Sequence, residues 1–136
     1  MYLGRYPDYV KRATASVMEY RTDKDDLTKG WGDLVVMFRA GQDPAWAAKF
    51  ADENLDKMGI EAGNSHAFLY HWVHTLEALG TIDRTVSADY PIFNVYAKGG
   101  KKTYVVYNMS DKPLTVTFTD GTKLEAKTKG FASVAK

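Results

Sequence analysis

The hydrophobic period of the chain changes once, near residue 85, and that change limits the fold more than any single motif does. Before it, apolar residues recur every three to four positions, as on a helix face; after it, they alternate with polar ones, as in a strand. Charge changes at the same place. Residues 1–85 hold all three tryptophans and all three histidines, with ten basic and thirteen acidic side chains for a net −3. Residues 86–136 hold eight lysines, no arginine and four acids for a net +4. The sequence therefore predicts an α+β protein: antiparallel helical hairpins over 1–84, then a small antiparallel β-sheet or sandwich over 85–136.

Four helices fit the first part. One over about 7–20 has Val10, Ala13, Val17 and Tyr20 on a stripe, with Pro7 acceptable in its first turn. The polar stretch 22–30 reads as loop. A second helix over about 32–40 is apolar nearly all round, with Leu34, Val35, Met37 and Phe38, so it is expected to be the most buried, and Gly41 to stop it. Asp43-Pro44 marks the start of a third, which carries Trp46, Ala47, Phe50 and Leu55 and ends by Gly59. A fourth opens at Asn64-Ser65 and stops at Gly80. Short connections imply two stacked hairpins.

The second part reads as five strands. Residues 91–97 and 102–108 flank a Gly99-Gly100 turn. Leu114, Val116 and Phe118 alternate with threonines, Asp120-Gly121 is a type I′ hairpin signal, and 122–127 and 131–135 follow.

Several chemistries are excluded or disfavoured. The chain has no cysteine, which removes disulfides, thiolate metal sites, iron–sulfur clusters and a cysteine nucleophile. A net charge of +1 recruits neither nucleic acid nor an acidic membrane. No apolar run approaches the roughly 18 residues of a membrane span, and the N-terminus has no apolar signal core, so the chain as written is expected to be soluble and to carry no export address. Gly99-Gly100 lies in no strand–helix phosphate pattern, and there is no Gly-x-Ser-x-Gly elbow. Asn108-Met-Ser110 is a glycosylation sequon if a eukaryote secretes the chain.

The fourth helix is the most informative segment. Phe68, Leu69, Trp72, Val73, Leu76 and Leu79 share one side of it, while His66, Tyr70, His74 and Glu77 line up on another. That second stripe is a row of hydrogen-bonding groups suited to a sugar, or else polar positions satisfied by a loop or the sheet. His71-Trp-Val-His74 has the spacing of a ligand pair, but no third ligand is indicated, so no metal and no cofactor are expected. Trp31, Trp46, Tyr96, Tyr104 and Tyr107 are candidate sugar platforms or core filler. Asp25-Asp26 and Asp52-Glu53 read as solvated charge, and no carboxylate pair is identifiable as catalytic.

Taken in order, several motifs resemble a known family. Tyr2-Leu-Gly, Tyr6-Pro-Asp-Tyr-Val, Trp31-Gly-Asp with its apolar run, and Asp43-Pro-Ala are similar to the end of a glycoside hydrolase family 81 catalytic domain. Gly63-Asn-Ser-His-Ala and Tyr70-His-Trp-Val-His are similar to a segment near that family's C-terminus. Thr85-Val-Ser-Ala-Asp-Tyr-Pro, Thr103-Tyr-Val-Val-Tyr-Asn and Thr117-Phe-Thr-Asp-Gly-Thr are similar to the tail strands of its bacterial members. The family comprises endo-1,3-β-glucanases. The resemblance implies that the helices are the last hairpins of an α/α toroid and the strands a C-terminal appendage. It also implies that the family's inverting acid and base lie upstream of the matched region, so no catalytic residue carries over, and the chain is either an excised piece or a short relative. Family members are usually secreted; the compartment of this chain is left open.

The leading expectation is a non-catalytic C-terminal portion of an endo-1,3-β-glucanase-like protein that supports or extends the β-glucan cleft through His66, Tyr70, His74 and Glu77. The alternatives are a stand-alone carbohydrate-binding module using its sheet aromatics, and a scaffold that binds no sugar. Expected partners are β-1,3-glucan or a related polysaccharide, with no nucleic acid or membrane. Self-association is expected through the helical part, around Val17, Leu34 and Phe38, because a toroid hairpin cut from its neighbours uncovers an apolar flank.

Overall fold

The computed structural model describes residues 6–20 and 26–136. The Tyr2-Leu-Gly motif and the polar stretch 22–25, Asp25 included, lie outside the described residues. The helices are α1 (Pro7–Tyr20), α2 (Gly32–Ala40), α3 (Pro44–Asn54) and α4 (His66–Leu79). The strands are β1 (Thr81–Ile82), β2 (Phe93–Lys98), β3 (Lys101–Asn108), β4 (Leu114–Thr117), β5 (Lys123–Ala126) and β6 (Gly130–Ala135). The fold is mixed α+β as the sequence implies, with the two-residue β1 added. The chain divides into two compact units, with the boundary between Thr81 and Ile82.

The helical unit is built around α2, which packs against α1, α3 and α4. Its nearly all-round apolar sequence has the expected result: Val35, Val36, Met37 and Ala40 are buried. The chain passes over itself where α2 begins. A Cβ at Gly32 would lie 1.8 Å from the Leu27 carbonyl oxygen, so no side chain fits there.

α2 ends at Ala40 with Gly41 as its cap, as expected, although Gly41 stays right-handed at φ −69°. Pro44 keeps the residue before it out of helical geometry and leaves Asp43 at φ −132°, ψ 77°. Asp43 then caps α3, its Oδ1 accepting the Trp46 N–H at 3.1 Å, with Pro44 in the first turn. Ala47, Ala48 and Ala51 form the buried face of α3, small enough to let α2 and α4 approach. A 3₁₀ turn at Leu55–Lys57 ends the segment.

Ser65 caps α4 by accepting the Phe68 N–H at 3.1 Å, and the helix closes at Gly80, whose φ of 92° suits only glycine. Leu69, Val73 and Leu76 are its buried residues. At about 100° per residue they span an arc of roughly 60°. Trp72 sits at the edge of that arc, half-buried, with Nε1–H donated to the Met37 carbonyl at 3.0 Å. Phe68 lies about 100° from the arc's centre, and it is 54% exposed rather than sharing the buried side.

In the second unit β2, β3 and β6 pair antiparallel in one sheet, whose strand order is β1-β2-β3-β6, and β4 and β5 pair antiparallel in another. Both close on one core: Val95, Tyr104 and Val106 on one side, Val116, Leu124 and Ala126 on the other, with Val86 and Phe118 from connecting segments. Phe118 meets Phe93 and Tyr104 edge-on, at 5.8 and 4.9 Å between ring centres.

The hairpin chemistry is partly reversed. Lys98 pairs with Lys101, and Gly99 and Gly100 have φ of 57° and 80°, so Gly-Gly makes the type I′ turn. At Asp120-Gly121 only the glycine is left-handed, at φ 85°. The Phe118 N–H bonds the Thr122 carbonyl at 2.8 Å and the Gly121 N–H the Phe118 carbonyl at 2.9 Å, which is a three-residue loop with a glycine bulge. The Asp120 carboxylate instead accepts the Tyr104 hydroxyl.

Candidate functional site

The fold gives the four stripe residues of α4 different tasks. His66 opens the helix, and its Nε2 lies 3.0 Å from the Met58 carbonyl, which accepts a ring N–H and ties the preceding loop to the helix. Tyr70 follows one turn later, 40% exposed. Its ring centre is 4.1 Å from that of His74, with the planes tilted by 43°. The side chain of His74 is 28% exposed and places Nε2 3.0 Å from Asp52 Oδ1 on α3. Glu77 is half-buried in the next turn. Tyr70 and His74 are thus in contact, whereas His66 is committed to the loop. His71 meets Tyr70 edge-on at 6.2 Å between ring centres. Among the described residues no group of three or more His, Asp or Glu side chains is placed to hold a metal ion.

Asp52 is the site residue that sequence reasoning missed. It reads as half of a solvated acidic pair, and Glu53 does remain on the surface, 3.8 Å from Lys49. Asp52 faces α4 instead. Asp26, the described half of the other acidic pair, is a turn-former: the Thr28 hydroxyl, then the Lys29 ammonium and the Thr28 N–H, hold its pKa at about 2.

A second polar node joins two of the family-like motifs. Asp33, from Trp31-Gly-Asp, is completely buried; its Oδ2 accepts the Asn64 amide at 2.6 Å and the Glu61 N–H at 3.1 Å. Its Oδ1 has no hydrogen-bond partner among the described residues. Asn64, from Gly63-Asn-Ser, also holds the Ser65 N–H at 2.9 Å through Oδ1. The loop that leads into α4 is therefore anchored to the first turn of α2.

The candidate sugar platforms separate. Tyr104 is core, 3% exposed; its hydrogen bond to Asp120 raises its pKa and lowers that of the carboxylate. Trp46 is occupied within the chain, with the Arg39 guanidinium 3.5 Å above its ring centre and Phe50 stacked at 5.4 Å. Tyr96 is half-buried, and burial raises its pKa. Tyr107 is 44% exposed and pairs across strands with Phe131, 65% exposed. Trp31, 61% exposed, lines an apolar groove of about 230 Å³ with Tyr9, Ala13, Val17, Leu34 and Phe38. Asn108 is fully buried, its amide donated to the carbonyls of Lys112, Ala126 and Lys127. The Asn-Met-Ser sequence is a turn brace, and its amide is closed to glycosylation.

Comparison with descriptions of known protein families finds no match. Individual proteins do match. The chain is 37% identical over 121 residues to a glucan endo-1,3-β-D-glucosidase of Acetivibrio thermocellus, which covers 89% of this chain and 15% of that protein. It is 35% identical over 124 residues to a glucan endo-1,3-β-D-glucosidase of Thermobifida fusca, covering 91% of this chain and 16% of that one. A mutant glycoside hydrolase family 81 protein from Clostridium thermocellum, known by structure, superposes with a TM-score of 0.84 at 32% identity over 98% of this chain and 18% of its own. The chain therefore spans less than a fifth of the length of the relatives it matches. In sequence and in fold alike, the chain is similar to part of these much longer chains, one of them a glycoside hydrolase family 81 protein.

Proposed function

We propose that this chain is a non-catalytic part of an endo-1,3-β-glucanase, and that it supports the binding of β-1,3-glucan through the polar stripe of α4. The observation that carries the reading is the match, along nine-tenths of the chain, to proteins named for cleaving 1,3-β-glucan. The carboxylates lend support to a non-catalytic role. A general acid or base must reach the scissile bond. Asp33 is completely buried and donor-bound, and Asp43 caps α3. Asp26 and Asp120 brace turns.

The test is two measurements on the purified chain. Incubation with insoluble β-1,3-glucan followed by centrifugation should deplete the chain from solution, and reducing-sugar release should stay at the level of a protein-free control. Hydrolysis that disappears when a single carboxylate of this chain is replaced would sink the non-catalytic reading. Failure to co-sediment would sink the glucan contact.

A second reading, a glucan-binding module acting through its sheet, is favoured by the exposed Tyr107–Phe131 pair on β3 and β6. Replacing both with alanine should abolish co-sedimentation on that reading, and leave it unchanged on the first.

A further inference from the structure

The middle of the α4 stripe is a fixed aromatic plate, Tyr70 against His74. Asp52 Oδ1 lies 3.0 Å from His74 Nε2, and an ionised carboxylate can only accept, so Nε2 must carry the proton. That bond sets both the tautomer and the rotation of the imidazole ring. Tyr70 then leans on the fixed imidazole at 4.1 Å, with 40% of the residue still open to solvent. His66 cannot share this duty, because its ring is committed to the Met58 carbonyl.

We infer that Asp52 is a positioning residue for a sugar-stacking surface formed by Tyr70, and that the ligand it serves is an uncharged β-1,3-glucan chain. The inference rests on the glucan reading above and deepens it. An aromatic face is electron-rich and attracts the C–H groups on the apolar face of a pyranose ring. Charge narrows the ligand further. Asp52, 55% exposed at its side chain, sits beside the plate. A carboxylate there repels uronate, sulfate or phosphate groups, and it accepts hydrogen bonds from neutral hydroxyls. Asp52 uses one oxygen on His74, and a carboxylate has lone pairs left for a sugar hydroxyl.

The experiment titrates the whole chain with laminarihexaose, followed by NMR with the histidine rings labelled with nitrogen-15. In the free chain, His74 should show the Nε2–H tautomer, with ring protons shifted upfield by Tyr70. Tyr70→Ala should remove that shift and weaken binding about tenfold, whereas Tyr70→Phe, which keeps the ring, should stay within about threefold. Asp52→Ala should mix the two tautomers and weaken binding about threefold or more, and Asp52→Asn, which keeps the shape and loses the charge, should fall between.

An unchanged tautomer and unchanged affinity in Asp52→Ala would overturn the positioning role. Equal losses in Tyr70→Phe and Tyr70→Ala would overturn the stacking surface. A wild-type chain that binds no laminarihexaose would overturn the glucan reading and the ligand assignment with it. Wild-type binding that survives both alanine variants would overturn this inference alone.

Discussion

Asn64→Ala should unsettle the helical unit far more than a half-buried asparagine usually does. Among the described residues its amide is one of two donors to Asp33, a carboxylate with no exposed surface and a second oxygen that has no partner there. Without the amide, the Glu61 N–H would be the one described donor left on a buried charge. A hydrogen bond to a charged group is worth about 1.5–3 kcal/mol, and stripping a buried charge of its partner costs about 3–5 kcal/mol. The surviving donor keeps the expected loss near the overlap, about 3 kcal/mol. Loss of the bond from the Ser65 N–H to Asn64 Oδ1 adds little, because that site is open to water.

Asp33→Ala should cost less, about 1–2 kcal/mol, since it removes the charge together with its desolvation penalty. In the Asp33→Ala background, Asn64→Ala should cost under about 1 kcal/mol, which gives a coupling of about 2 kcal/mol. Urea unfolding followed by tryptophan fluorescence is the assay. Trp31, Trp46 and Trp72 all lie in the helical unit, so the signal reports that unit whatever the strands do. An Asn64→Ala loss below about 0.5 kcal/mol, or additive losses in the double variant, would refute the buried-charge reasoning.

Leu76→Ala, at a residue 2% exposed, should cost about 2–5 kcal/mol, against about 1 kcal/mol or less for His74→Ala, whose partner is half in water. Equal large losses in the same fluorescence assay would make the stripe buried structure. Asp83 is held at about 2 by the Lys102 ammonium, then by the Thr85 hydroxyl and N–H. Its pKa is depressed in the folded state, so its contribution is complete above about pH 4 and is lost as pH falls toward 2. The stability gap between wild type and Asp83→Asn, read from amide NMR of the strand unit in urea, should close across that window; a gap independent of pH would refute the assignment. We also propose that the apolar groove lined by Val17, Leu34 and Phe38 draws two copies together. Light scattering should show dimer growing with concentration and receding in Leu34→Asp, and a monomer at every concentration would end the idea.

Most of the fold was legible because its signals are local. Asp43-Pro44 and Ser65 name helix starts through bonds that reach three residues. The alternation over Leu114–Thr117 names a strand and its wet face. Errors arose where one signal served two geometries. Asp-Gly suits both a two-residue I′ turn and a three-residue loop with a glycine bulge, and the pairing of Phe118 with Thr122 decided between them. Phe68 lies near the edge of an apolar arc whose true width depends on how far the neighbouring helices reach.

The site was legible by half, and the missing half follows a rule about burial. A helix that is apolar nearly all round cannot hide an unpaired carboxylate, so Asp33 on α2 by itself demands a donor elsewhere in the chain. Sequence states that demand without naming Asn64, 31 residues away, because no periodicity spans the gap. Asp52 makes no such demand: more than half of its side chain is in water, where a lone carboxylate is comfortable. Its link to His74, 22 residues on, therefore leaves no mark in the pattern of either helix. A structural polar contact is announced by the cost of leaving it unmade, and an open binding surface, which must tolerate water whenever its ligand is absent, carries no such cost.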